Sequence, residues 1–166
     1  MIIVVSGLPG TGKSYFAEKL SDRLGAVHFN SDKLRNALHA RGKYTIDDKL
    51  HIYRVMAEEA DHVLDQGKSV IVDATFYKHE MIDLFTMLAK DHASPIRFIK
   101  IEADETLVRE RLQRRRTDSE ADFQVYVKIK DEFDELDVPH LVIQSEAHNI
   151  DTMIEPALRY IGDSHE

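Results

Sequence analysis

Gly7-Leu8-Pro9-Gly10-Thr11-Gly12-Lys13-Ser14 stands between an apolar, β-branched run, Ile2–Ser6, and an amphipathic stretch, Lys13–Leu24. The pattern G-x-x-x-x-G-K-[ST] between a strand and a helix predicts a loop that wraps a polyphosphate. Glycines let successive backbone N–H groups turn toward the anion, and the helix N-terminus adds unsatisfied donors and the positive end of its dipole. Gly7, Pro9, Gly10, Thr11, Gly12, Lys13 and Ser14 are therefore the candidate nucleotide-binding residues. Lys13 is expected to reach the β- and γ-phosphates, and the Ser14 hydroxyl to ligate Mg²⁺. A glycine-rich turn with no ligand has no need of Lys and Ser at those two places.

On either side of this loop the chain alternates short aliphatic runs with longer helical stretches. Strands are expected at Ile2–Ser6, Ala26–Asn30, Ser69–Asp73, Ile96–Ile101 and His140–Ile143. Most are apolar on both faces, as strands covered by helices must be. Helices are expected at Lys13–Leu24, Asp32–Ala40, Asp47–Gln66, His79–His92, Glu105–Arg115, Glu120–Leu136 and Thr152–Ile161. Phe16, Ala17, Leu20 and Leu24 recur at helical spacing in the first, and Gly25 supplies its stop. The βαβα order implies one α/β domain over residues 1–166, with a parallel sheet between two helical layers. Arg41–Ile46 and the polar Arg114–Asp122 read as excursions from it.

The 166 residues are 43% hydrophobic and 31% charged, an ordinary globular composition. No apolar run approaches the ~18 residues that a membrane span needs. MIIVVSGLPG lacks a basic region and does not read as a signal peptide. The chain has no cysteine, which removes disulfides, thiolate metal sites and cysteine nucleophiles and suits a cytoplasmic location. A net charge of −8 weighs against a general coat for nucleic acid, though not against a small basic site. The nine histidines show no spacing typical of metal ligands.

Three further sets of residues carry candidate chemistry. Asp73 closes the run Val70-Ile71-Val72 and stands where an acid can hold Mg²⁺, directly or through water; a turn aspartate is the alternative. Asp32 follows the second strand, and ligands of open parallel sheets sit outside the carboxyl ends of the strands. A carboxylate there can take the proton of an acceptor hydroxyl as it attacks the γ-phosphate. Arg35 shares its helix face and can pair with Asp32 or hold a substrate phosphate. The competing reading makes Asp32, or Ser31, a helix cap. Arg109, Arg111, Arg114, Arg115 and Arg116 place five guanidinium groups within eight residues. They can stabilise charge on a transferring phosphoryl group, or pair with the acidic run Asp131–Glu135, which otherwise reads as a solvated face. Thr45-Ile46-Asp47-Asp48 reads as a helix-start cap. Tyr44, Phe76 and Tyr77 can stack an acceptor base or fill the core.

With these residues assembled, the chain resembles the small P-loop kinases grouped as AAA-like, and among them the 5′-polynucleotide kinase module of nucleic-acid repair enzymes. The resemblance runs from Met1 to about Ile143 on Gly7–Ser14, Asp32-Lys33-Leu34-Arg35, Asp73-Ala74-Thr75, and Arg111 through Arg116-Thr117-Asp118. It implies a three-layer fold with a five-stranded parallel sheet in the order 2-3-1-4-5 and an arginine-bearing lid at about 114–122. It further implies that Asp32 is the general base and that Arg35 clamps the phosphate beside the acceptor hydroxyl. Arg111 and one of Arg115 or Arg116 would engage ATP. The implied partners are ATP, Mg²⁺ and a hydroxyl acceptor, either a 5′-hydroxyl polynucleotide or nucleoside-like compound or another small molecule such as a sugar or antibiotic. A guanine-reading N/T-K-x-D motif is absent, which weighs against a GTPase switch, and the length leaves no room for the small domain of a motor ATPase. A non-catalytic ATP-binding module is the remaining alternative, against which the presence of Lys13, Ser14, Asp32 and Asp73 argues.

Overall fold

The computed structural model describes residues 1–38, 42, 45–115 and 119–163, without the side chains of 115 and 119–122. Its strands are β1 (Ile2–Ser6), β2 (Val27–Asn30), β3 (Val70–Asp73), β4 (Ile96–Glu102) and β5 (Leu141–Gln144). Its helices are α1 (Lys13–Leu24), α2 (Ser31–Ala37), α3 (Ile46–Asp65), α4 (His79–Asp91), α5 (Glu105–Arg115), α6 (Ser119–Glu132) and α7 (Ile150–Gly162). Every strand pairing is parallel, in the order β2-β3-β1-β4-β5, so the expected sheet is the observed one.

The period-two alternation of the central strands builds two cores. Ile2, Val4, Val70 and Val72 face α3 and α4, where Tyr53, Met56, Met81 and Phe85 close over them. Ile3, Val5, Ile71, Ile99 and Ile101 face the other way, against Phe16, Ala17 and Leu20 of α1 and Met153, Ile154 and Ala157 of α7. A smaller cluster of Val108, Leu112 and Tyr126 joins α5 to α6 and packs on Leu8 of the glycine-rich loop. That loop therefore lies at the centre of the sheet, with the α5–α6 pair seated on it.

Local chemistry accounts for the element ends. Gly25 closes α1 in the left-handed conformation. Thr45 and Asp48 form the expected reciprocal capping box at the start of α3. The expectation for α2 needs correction: neither Asp32 nor Ser31 caps it. Asn30 does, accepting from the Lys33 N–H at 3.0 Å, and the helix starts one residue earlier and ends at Ala37. The acidic run is also more than a solvated face. Asp134 accepts from the His79 N–H at 3.0 Å and lies 3.7 Å from the Lys78 ammonium, tying the segment after α6 to the start of α4. Residues 39–41, 43–44 and 116–118, the last being the middle of the expected lid, lie outside the described residues.

Candidate active site

The carboxyl ends of β1, β2 and β3 converge on one edge. Asn30 and Asp73 are register partners, as are Val5 and Asp73. From Ser6 the chain turns through the glycine-rich loop, where a Cβ on Gly7 would come within 2.7 Å of the Ile101 carbonyl oxygen. Only glycine lets the backbone pass that close. Thr11 braces the loop from inside, its hydroxyl donating to the Leu8 carbonyl at 2.8 Å. Gly12 is the N-cap of α1 at φ 87° and, having no side chain, makes no side-chain cap hydrogen bond at that helix end. Such a terminus favours an anion.

Ser14, in the first turn of α1, donates its hydroxyl proton to Asp73 Oδ1 at 2.9 Å. The Asn30 amide donates to Ser14 Oγ and to Asp73 Oδ1, each at 2.9 Å. The second carboxylate oxygen of Asp73 is bonded to His28 Nε2. Asp73 is wholly buried, so this set of partners offsets the desolvation of its carboxylate. The arrangement also orients Ser14. With its proton on Asp73 and one lone pair held by Asn30, its remaining lone pair is left for a cation. The donor set, one hydroxyl beside a buried carboxylate at a phosphate loop, fits Mg²⁺, which takes oxygen ligands and keeps water in its shell. Spacing does not single out His28 or Asn30. The one signal for them is their place on the strand whose register partner ends in Asp73.

Asp32 and Arg35 lie three residues apart on α2, Asp32 in solvent and Arg35 largely covered. Arg35 Nη1 donates to Asp32 Oδ1 at 3.0 Å; the Arg35 side chain is 13% exposed and that of Asp32 80%. Tyr53 lies nearby: burial pushes its phenol well above the ordinary range, the field of Arg35 opposes this, and its oxygen accepts from the Phe76 N–H at 2.9 Å. Phe76 adopts φ 51° and packs edge-on against Tyr53 and Phe85. Phe76 and Tyr77 are both buried, so these two aromatics serve the core, and Tyr77 holds the Lys49 ammonium at 3.1 Å. Tyr44 lies outside the described residues.

The arginines divide. Arg111 reaches over the loop, donating to the Gly10 carbonyl at 3.4 Å, to Ser145 Oγ at 3.1 Å and to the Glu146 carbonyl at 3.3 Å. It joins the loop to the turn after β5, where the buried Ser145 was not anticipated because it follows a short strand far from any motif. Arg109 instead stacks 3.8 Å over the Phe123 ring and fastens α5 to α6, alongside the Glu105–Lys130 ion pair that holds the Glu105 carboxyl below its usual range. Arg114 is exposed; the Arg115 side chain and Arg116 lie outside the described residues. A cleft of about 540 Å³ opens between β4 and α6; five acids, Glu102, Asp104, Glu105, Asp134 and Glu135, line it against two lysines, Lys100 and Lys130, a net negative lining that disfavours a polyphosphate. Away from the site, Asp61, Asp65 and His92 offer ligand atoms within 4.8 Å of one another, a grouping invisible to spacing because His92 comes from the end of α4. Its members already pair, His92 with Asp61 at 2.6 Å. Among the described residues no helix is long and apolar enough to cross a membrane.

This geometry belongs to a P-loop kinase fold, and residues 2–136 match the AAA_33 family, described as an AAA domain. The chain belongs to that family. An uncharacterized protein of Mycobacterium tuberculosis is 31% identical over 107 residues, covering 57% of this chain; the match spans 22% of that relative's length. The fold is also that of an APS kinase from Mycobacterium tuberculosis solved with AMPPNP and APS, at TM-score 0.78 and 19% identity over 97% of this chain and 96% of that one. A sugar kinase from Janibacter sp. has TM-score 0.73 and 22% identity over 98% of this chain and 95% of its own.

Proposed function

We propose that this chain is an ATP- and Mg²⁺-dependent phosphotransferase that moves the γ-phosphate to a hydroxyl acceptor, working as one kinase unit in the cytoplasm. The observation that carries the reading is the Ser14–Asp73 hydrogen bond beneath the glycine-rich loop, on the same sheet edge as Asp32. Ser14 would hold Mg²⁺, with Asp73 acting through it or through water, and Lys13 with the loop N–H groups would hold the phosphates. The bound cation supplies neutralisation of charge on the phosphate oxygens. Asp32, exposed at the mouth, takes the acceptor proton. The acceptor oxygen then bonds to the γ-phosphorus as the bond to the β,γ-bridging oxygen breaks, and ADP carries away that electron pair. Arg35 orients Asp32 and can turn to an acceptor phosphate, while Arg111 and one of Arg115 or Arg116 meet the nucleotide from the lid.

For the acceptor, the Asp32-x-x-Arg35 pair supports a 5′-hydroxyl polynucleotide or nucleoside-like compound. One observation favours a second reading, a small polar hydroxyl compound: Phe76 and Tyr77 are buried in the core and unavailable to stack a base. Likeness of fold to a sugar kinase and an APS kinase points the same way. Transfer of label from γ-labelled Mg–ATP separates these readings, with a 5′-hydroxyl oligonucleotide in one arm and nucleosides, sugars and antibiotics in the other. Lys13→Ala, which must abolish transfer, is the control. Tight ATP binding with no transfer to either arm would leave a non-catalytic nucleotide-binding module and end the kinase reading.

A further inference from the structure

Asn30 is the one described residue bonded at once to Ser14, to Asp73 and to the backbone of α2. Its amide nitrogen faces the nucleotide half of the site. Its carbonyl oxygen caps the helix that carries Asp32 and Arg35. It is buried, so neither bond is shared freely with water. The helix it caps is short, seven residues with only Ser31 buried, and a helix of that length gains little from its own hydrogen bonds. Leu34 holds the helix to the core from its middle, and the cap sets where the helix starts.

We propose that Asn30 is a positioning residue that couples cation and nucleotide at Ser14 and Asp73 to the placement of α2, so that Asp32 is set for an acceptor only when the phosphate loop is filled. A cation on the remaining lone pair of Ser14 would add a third partner to a hydroxyl already bonded to Asp73 and Asn30 and so tighten that set. The Asn30 amide bonded to it is then held as well, and the carbonyl on the same planar group holds the Lys33 N–H. An amide does this because one rigid group carries donor and acceptor on separate atoms; a serine hydroxyl has one shorter-reaching oxygen, which can keep the cap but does not span to Ser14 and Asp73 as well. The inference rests on the nucleotide and Mg²⁺ reading above, and is tested without knowledge of the acceptor.

Calorimetry of ADP binding with and without Mg²⁺ comes first, followed by hydrogen exchange of the 33–37 backbone amides in the same states. Mg–ADP should slow exchange there at least about threefold more than ADP alone, since a tighter cap raises the local opening energy. Asn30→Ser retains a cap oxygen and should leave exchange in the unliganded protein near wild type, yet lose the Mg²⁺-specific slowing. Asn30→Thr, whose hydroxyl also caps a helix and adds no charge beside Asp73, serves if the serine variant does not fold, and the same loss is expected. Wild-type protein that takes up no Mg–ADP overturns the nucleotide reading and the coupling with it. Binding without slowing in α2, or slowing that persists in the variant, overturns the coupling alone.

Discussion

Ser14 and Asp73 lie 59 residues apart in the chain and share a 2.9 Å hydrogen bond, with the serine donating. A helix start and a strand end meet there because β1 and β3 are parallel neighbours in register. The bond joins the group that would touch a cation to a carboxylate with no access to water. Its partners therefore determine how the hydroxyl is presented.

His28 tests that point. It holds the Asp73 oxygen that faces away from Ser14. His28→Ala should weaken Mg²⁺-dependent ADP binding by about 10- to 100-fold, the range seen for partners of metal-binding groups. Binding of ADP without Mg²⁺ should change little, and His28→Gln, which can still donate to Asp73, should recover part of the loss. Titration calorimetry at several Mg²⁺ concentrations measures both. An equal loss with and without the cation would make His28 a packing residue only.

Asp32 is not the cap of its helix, so the base role proposed for it can be tested apart from stability. Asp32→Asn should keep ATP affinity and lower phosphoryl transfer by roughly 10²–10⁴-fold, the range for a general base. Because its side chain is 80% exposed, the melting temperature should scarcely move. Asn30→Ala should instead cost about 0.5–2 kcal/mol as a lost cap. Thermal melts of the two proteins side by side check the contrast, and a large drop for Asp32→Asn would return it to a structural role.

Two arginines of α5, Arg111 and Arg109, predict opposite phenotypes. Arg111 touches the Gly10 carbonyl and the turn after β5. Its removal should reduce nucleotide affinity by roughly 10- to 100-fold, as expected where hydrogen bonds from a charged group are lost. Arg109 stacks on Phe123, so Arg109→Ala should loosen α5 from α6 by about 0.5–2 kcal/mol and affect nucleotide affinity less. Equilibrium dialysis and denaturant unfolding of both variants decide the matter. Exchanged phenotypes would refute the division.

Tyr53 gives a pH dependence whose sign is set by burial. Its phenol is pushed above the ordinary value of 10.0 because the ionised form would be desolvated. The unfolded chain therefore releases this proton first, and the unfolded state gains as pH rises. Stability from this group is complete below about pH 10 and is lost progressively above it. Tyr53→Phe should flatten the fall in stability between pH 9.5 and 11, read from urea midpoints, and cost roughly 1–3 kcal/mol at neutral pH by stranding the buried Phe76 N–H. A fall as steep as wild type would show that other groups dominate.

Much of the fold is legible one residue after another. The bounds of β1 and α1 follow from an apolar run, a glycine-rich loop and a helical stripe, all local signals. Parallel strands buried on both faces carry uninterrupted aliphatics, so the layer architecture is local too. The glycine-rich loop carries Lys13 and Ser14 at one fixed spacing, which is local, whereas the contact of Ser14 with the buried Asp73 depends on the sheet. What the linear order conceals is which side chains share a partner. His28, Asn30 and Ser145 belong to no motif, and ordinary residues at strand ends gain a function only when sheet register sets them against Asp73 or Arg111. The cap of α2 shows the same division. Three adjacent residues, Asn30, Ser31 and Asp32, can each cap a helix, and propensity does not separate them. Pairing of β2 with β3 buries Asn30 and leaves Asp32 in water, because a strand's last inward-facing residue is set by its neighbour across the sheet and not by its own preference.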